Sequence, residues 1–315
     1  MKIAIMESLA VSADEMALRK LPFEKEGHTF IEYERTTDVQ TLISEAKDAD
    51  VMILANMPMP AEVLRACNHL KYIDIAFTGV DHVAMDVVRE KGITASNASG
   101  YSNESVAELG VGFAIDLIRN VPQVDARCRA LGTKAGLVGR ELLGKTVGIV
   151  GLGKIGTRSA ELFYAFGCRI LAHSRSIHKN APVYIEQTSL DDLLERSDIV
   201  VLHCPLNDST RGLINRDALS KMKPGAYLIN LARGPVVVSR DLADALNSGV
   251  IAGAAIDVFD KEPPLNADEP LLAAKNTILT PHIAFATEES MSIRAEIVFE
   301  NLRHFLDGDP INLVS

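Results

Sequence analysis

The sequence predicts an α/β protein built from two doubly wound parallel-sheet domains, and three observations lead there. Short runs rich in Ile, Val and Ala alternate with amphipathic stretches of about ten residues along most of the chain, the pattern of βαβ units around parallel strands. A G-x-G-x-x-G loop, Gly151-Leu152-Gly153-Lys154-Ile155-Gly156, lies near the middle, between an apolar run and a helical pattern. The length of 315 residues is about twice the ~150 residues usual for one domain.

In chain order, strands are expected at Lys2–Met6, Thr29–Tyr33, Val51–Ala55, Tyr72–Ala76 and Ile93–Ala95. The helices between them are expected at Ser12–Lys20, Val39–Ala46, Ala61–Asn68 and Val83–Lys91. Ser105–Val121 reads as one helix closed before Pro122. Its apolar residues spread around more than one face, so it is buried in the fold, in a subunit interface, or in both. A second alternation then begins, with six strands at Thr146–Val150, Arg169–Ala172, Ile199–Leu202, Ala226–Ile229, Ala252–Ile256 and Thr277–Leu279. Helices at Lys154–Phe166, Leu190–Glu195, Asp217–Lys221 and Ser239–Ser248 separate them. Glu288–Leu306 has a helical period and is expected to return to the first domain.

The glycine loop has a definite physical reading. Gly151 permits a tight turn, Gly153 lets phosphates approach the backbone, and Gly156 lets helix and strand pack closely. Backbone N–H groups and the helix N-terminus then face a dinucleotide pyrophosphate. The first half has no such loop, so its sheet serves another purpose.

Composition narrows the alternatives. A net charge of -10 argues against a phosphate-tracking nucleic-acid binder and against an anionic-membrane binder. The apolar run Met1–Met6 is too short for a signal peptide, and no stretch reaches the ~18 apolar residues of a membrane span. Cys67, Cys128, Cys168 and Cys204 are scattered and read as buried free thiols, and a cytoplasmic location is expected. No metal site is expected.

Three segments carry candidate chemistry. Arg233 follows a strand end in Asn230-Leu231-Ala232-Arg233-Gly234-Pro235. Asp257 ends another strand, with Glu262 in the loop beyond, before Pro263-Pro264. His282 follows a third in Thr280-Pro281-His282-Ile283-Ala284-Phe285. In open α/β sheets, ligands sit outside the carboxyl ends of strands, so an arginine, a glutamate and a histidine there can meet in one crevice. Reducing a 2-oxo acid needs these types: a planar fork for carboxylate and carbonyl oxygens, a proton donor titrating near neutrality, and a carboxylate that orients it and favours its charged form.

With these residues the chain resembles the D-isomer-specific 2-hydroxyacid dehydrogenase family, from the Phe77-Thr78-Gly79-Val80-Asp81 loop to Thr280-Pro281-His282. The resemblance implies a Rossmann cofactor domain (100–286) inserted into a flavodoxin-like substrate domain (1–99 and 287–315), with closure over bound ligands. It implies Arg233, Glu262 and His282 as the catalytic trio and Asp257 at the nicotinamide end. It also implies Thr78, Gly79, Arg233, His282 and Phe285 as substrate contacts. The cofactor set comprises Gly151, Gly153, Lys154, Ile155, Gly156, Ser174, Arg175, His203, Cys204, Pro205, Thr210, Leu231, Ala232, Arg233 and Asp257. His203 is expected to position the cofactor rather than act as acid or base, and Cys204 to be a packed thiol.

Ser174 stands eighteen positions after Gly156, where an NAD enzyme would carry an acid. Its neighbour Arg175 suits a 2′-phosphate, so NADPH is favoured over NADH. The expected substrate is a small acid such as glyoxylate or hydroxypyruvate, with Phe285 and Phe77 as walls. Phosphoglycerate or phosphite oxidation and a non-enzymatic, nucleotide-sensing corepressor role are the alternatives. A homodimer through the cofactor domain is expected. The chain has no Trp, whereas the family often has one upstream of Leu142-Leu143-Gly144-Lys145, which leaves the usual substrate-edge contacts open.

Overall fold

The computed structural model describes residues 1–262 and 264–314, so Pro263 and Ser315 lie outside the described residues. The chain divides into two compact units, Met1–Ser102 with Ala286–Ser315, and Asn103–Phe285.

The first unit holds β1 (Lys2–Ile5), α1 (Ala13–Lys25), β2 (Thr29–Glu32), α2 (Val39–Ala46), β3 (Val51–Leu54), α3 (Ala61–Ala66), β4 (Tyr72–Ile75), α4 (Met85–Glu90) and β5 (Thr94–Asn97). Its five strands are all parallel, in the order β2-β1-β3-β4-β5, the flavodoxin-like arrangement. Strands β3 and β4 are buried along their whole length, whereas edge strand β2 is largely exposed. Helix α1 runs past the expected end at Lys20 and through Pro22. Buried Phe23 packs against Phe30 and Phe299, and this tertiary contact overrides the local break.

The second unit holds α5 (Asn103–Arg119), α6 (Val121–Arg129), β6 (Thr146–Val150), α7 (Lys154–Ala165), β7 (Arg169–His173), β8 (Ile185–Gln187), α8 (Leu190–Arg196), β9 (Ile199–Leu202), α9 (Arg216–Lys221), β10 (Tyr227–Asn230), α10 (Ser239–Ser248), β11 (Gly253–Ile256) and β12 (Thr277–Leu279). Its sheet has seven parallel strands rather than the six expected, ordered β12-β11-β10-β9-β6-β7-β8. The missed strand is β8, whose Ile-Glu-Gln sequence is too short and polar to show a period. The order reverses between β6 and β9, which opens a crevice at their carboxyl ends.

Helix α5 is buried within this unit on Val106, Ala107, Val111, Phe113, Ala114, Leu117 and Ile118. It ends two residues earlier than expected, because left-handed Asn120 breaks it and Pro122 enters the first turn of α6, where its missing N–H costs nothing. No residue of α6 is buried, so Cys128 is exposed, contrary to the expectation of four buried thiols; Cys67, Cys168 and Cys204 are buried.

Helix α11 (Glu288–Leu306) belongs to the first unit and packs over β4. Phe305 stacks on Tyr72 with centroids 4.2 Å apart, and Asn301 Nδ2 donates to buried Asp74 Oδ1 at 3.1 Å. The tail after α11 reaches β5, where Val314 N–H donates to Ala95 O at 2.9 Å. No helix among the described residues is long and apolar enough to cross a membrane.

Candidate active site

The glycine loop joins β6 to α7, and each glycine meets a different constraint. Gly151 has φ +103°, and a Cβ there would lie 2.5 Å from the Cys204 backbone nitrogen. A Cβ on Gly156 would lie 2.0 Å from Gly151 O. Gly153 is the opposite case: a Cβ would meet nothing within 4 Å, and no side chain caps the helix that starts beside it. Open backbone at an uncapped helix N-terminus fits a pyrophosphate, because the first N–H groups of a helix have no internal partner and carry partial positive charge. Lys154 is exposed and Ile155 half-buried.

Around this loop the remaining cofactor candidates divide into open and occupied groups. His203 and Cys204 follow β9, directly against Gly151. The His203 Nε2 pairs with Ser159 Oγ at 2.8 Å, while Nδ1 is buried with no partner among the described residues. Burial pushes the His203 imidazole down to about 4, so the ring is neutral at pH 7. Burial also pushes the Cys204 thiol up to about 11, which keeps it protonated. Thr210 spends its hydroxyl on its own loop, donating to Pro205 O at 2.6 Å and accepting from Asn207 N–H. Leu231 and Ala232 are buried. Beyond β7, Ser174 Oγ donates to Ser176 O, and Arg175 is exposed with no side-chain partner among the described residues.

The catalytic candidates sit on loops after β10, β11 and β12. Buried Asn230, the last residue of β10, braces the Arg233 loop: its Oδ1 accepts from Ala232 N–H and its Nδ2 donates to Arg233 O, both at 3.1 Å. Arg233 Nη1 donates to Ala232 O at 2.8 Å. The next residue, Gly234, presses its backbone on Phe259 and Asp260, the segment that leads to Glu262. Glu262 Oε2 and His282 Nδ1 are 3.0 Å apart, with the His282 side chain 13% exposed.

His282 has φ +57°, a left-handed conformation that costs a non-glycine residue about 1–2 kcal/mol. Its N–H donates to Asp257 O at 2.7 Å. The Asp257 side chain, fully buried, takes the Thr280 hydroxyl and Ile283 N–H on Oδ1 and Ala284 N–H on Oδ2. Phe285 meets the His282 ring edge to face with centroids 5.4 Å apart. In the first unit, Thr78 O accepts from Asn97 Nδ2 at 2.7 Å, and the buried Thr78 hydroxyl has no partner among the described residues. Gly79 is half-buried.

Sequence reasoning missed Asn230, Ser159 and Thr280. Only Asn230 left a signal, as a polar residue closing an otherwise apolar strand.

Residues 111–284 match the family described as D-isomer specific 2-hydroxyacid dehydrogenase, NAD binding domain. Hydroxypyruvate reductase of Blautia hydrogenotrophica is 34% identical, covering 100% of both chains. Glyoxylate reductase of Thermofilum pendens is 39% identical over 86% of this chain and 82% of its own. Among solved structures, an acyclic imino acid reductase in complex with NADPH and D-Arg superposes with a TM-score of 0.91 at 26% identity, covering 100% of both chains. The chain therefore belongs to the D-isomer-specific 2-hydroxyacid dehydrogenase family and is an NAD(P)-binding, hydride-transferring oxidoreductase.

Proposed function

We propose that this protein reduces a small 2-oxo acid of the glyoxylate or hydroxypyruvate type to the D-2-hydroxy acid, with NADPH preferred over NADH. The observation that carries the reading is the Glu262–His282 pair, held at 3.0 Å on a loop with a left-handed residue. The curated relatives acting on hydroxypyruvate and glyoxylate support the substrate class.

In this reading Arg233 holds the carboxylate and carbonyl oxygens of the acid through its planar fork. His282 Nδ1 is committed to Glu262, so Nε2 gives its proton to the oxygen of the reduced carbonyl. Glu262 fixes the ring and balances the imidazolium charge. NAD(P)H supplies the hydride to the carbonyl carbon. Gly151, Gly153 and Gly156 with the start of α7 would hold the pyrophosphate of the bound cofactor, with the neutral His203 ring helping to position it and Asp257 at its nicotinamide end. Residues 100–286 act as the cofactor domain, and residues 1–99 with 287–315 supply Thr78 and Gly79 as the substrate domain.

For the cofactor preference, Ser174 leaves out the carboxylate that would repel a 2′-phosphate, and exposed Arg175 has no competing partner among the described residues. A cavity of about 210 Å³ beside Leu152 of the glycine loop and Thr157 of α7 is also lined by His178 and Lys179. The NADPH complex of the imino acid reductase is in keeping with this choice.

We also propose a homodimer through the cofactor domain. Residues 119–145 carry six Lys or Arg against two Asp or Glu in a chain of net charge -10, and expose Leu131, Val138 and Leu143. An exposed apolar stretch of opposite charge to the rest of the chain suits a second copy. The test is kcat/KM for about a dozen 2-oxo acids with both cofactors, with the mass measured by light scattering. No turnover of any short 2-oxo acid, an NADH advantage, or a monomeric mass would each overturn the corresponding part.

A further inference from the structure

We propose that Thr280 is a positioning residue for the reaction: its hydroxyl locks the Asp257 carboxylate in the one orientation that keeps His282 left-handed and facing Glu262. The inference rests on the proposed role of His282 as the proton donor.

The geometry starts from a conflict. His282 sits at φ +57°, a region a β-carbon disfavours, so the loop needs restraint on both sides of this residue. Before it, Thr280 N–H is fixed on Ile256 O, and the His282 N–H is fixed on Asp257 O at 2.7 Å and Thr280 O at 3.0 Å. After it, the Ile283 and Ala284 N–H groups converge on the two oxygens of Asp257 at 2.8 and 2.9 Å. One carboxylate thus clamps the loop on the far side of His282, and the clamp works only while its plane points at both amides.

Asp257 is fully buried, and among the described residues its side-chain oxygens have three donors: two backbone amides and the Thr280 hydroxyl. The amides belong to the segment being clamped and move with it. Thr280 stands on the near side, tied to β11 through Ile256 O, so its hydroxyl is the donor anchored independently of the loop. A charge-assisted bond from such an anchor sets the carboxylate plane. Without it the plane can rotate, one amide loses its acceptor, and His282 can relax toward ordinary backbone angles. Its ring then leaves the 3.0 Å contact with Glu262. Serine keeps the hydroxyl, whereas valine keeps the shape and removes the donor.

The test uses the full-length protein with Thr280→Val, Thr280→Ser and, should valine fail to fold, Thr280→Ala. The His282 ring ¹⁵N signals, assigned with His282→Gln, report tautomer and hydrogen bonding without turnover. In Thr280→Val these signals are expected to shift or broaden. The kcat for 2-oxo acid reduction should fall about tenfold. Thr280→Ser should restore both the signals and kcat. Wild-type ring signals and kcat in the valine or alanine variant, or a loss that serine does not restore, would overturn the proposal. Because the ring signals are read in the resting protein, a failure of His282 as proton donor would show separately, as unchanged turnover in His282→Gln.

Discussion

Gly234 and Phe259 meet backbone to backbone: a Cβ on Gly234 would lie 1.9 Å from the Phe259 carbonyl carbon and 2.4 Å from the Asp260 nitrogen. The glycine that follows Arg233, the proposed substrate-binding arginine, thereby sets the path of the loop carrying Glu262, the partner of His282. Gly234→Ala has no flexible side chain to push aside, only main chain. We expect a stability loss of about 1–3 kcal/mol, as overpacking usually causes. The kcat/KM should fall at least about a hundredfold, because both Arg233 and Glu262 shift. Urea unfolding and steady-state kinetics on the same preparation check both numbers.

The glycine loop gives a paired expectation in which two alanines fail for different reasons. Gly153→Ala has open space for its methyl and an ordinary φ of −81°, so the fold should keep its stability within about 0.5 kcal/mol. If the loop holds the pyrophosphate as proposed, the methyl intrudes on it, and the cofactor Kd should rise about tenfold or more. Gly156→Ala places its methyl 2.0 Å from Gly151 O, so the second unit itself should lose about 1–3 kcal/mol. Calorimetry of the apo proteins and a cofactor titration distinguish the two.

His282→Gln should lower kcat by about two to four orders of magnitude, the usual contribution of a positioned acid or base. Cofactor affinity should stay close to wild type, because the glycine loop and α7 are untouched. Glu262→Gln keeps a hydrogen-bond acceptor for Nδ1 but removes the charge, and a smaller loss of about tenfold is expected. Single-turnover rates at saturating cofactor measure both, and near-normal turnover in His282→Gln would remove the histidine from the mechanism.

Legibility in the sequence followed the range of the interactions. The three glycines could be assigned different constraints from their places in a strand–turn–helix motif, although the backbone that crowds Gly151 is that of distant Cys204. Strand β8 was invisible because three residues carry no period, and α6 because proline reads as an end although it equally suits a beginning. Asp257 was legible as a polar strand end, but not as the clamp on residues 283 and 284, since that bond spans more than twenty-five positions and depends on β11 and β12 being neighbours. Thr280 and Ser159 carry no signal at all, because a hydroxyl declares its partner only once the fold supplies one.

His203 provides a pH dependence of stability. Its imidazole is held neutral by burial, with the value pushed down to about 4 from the ordinary 6.5. Between these values the unfolded chain binds a proton that the folded one refuses, so stability falls as pH drops through this window. The loss between pH 7 and pH 4.5 should be roughly 2–3 kcal/mol from this group. His203→Gln can still bond Ser159 but cannot titrate, so its acid loss should be smaller by that amount in urea unfolding at the two pH values.

Asp74 should act with the opposite sign. It lies in the centre of β4, fully buried, with Oδ1 accepting from Asn301 and Oδ2 without a partner among the described residues. Burial raises its carboxyl well above the ordinary carboxylate range, the Asn301 bond opposes this, and no cation contributes. Tyr72, whose hydroxyl is also buried, is the titratable neighbour on the same strand. The folded chain therefore binds a proton that the unfolded chain has already released. The protonated form's contribution is complete below the unfolded value near 4, and it is lost as pH rises toward the raised folded value. Asp74→Asn has nearly the same shape and no charge to bury. At pH 8 it should raise Tm by about 2–4 °C, the shift that ~1 kcal/mol makes in a chain of this class. At pH 4.5, close to the unfolded value, the Tm difference should shrink, since little deprotonation of the unfolded chain is left to favour unfolding. Equal Tm differences at both pH values would mean that the amide acts through packing and that Asp74 is not the titrating group.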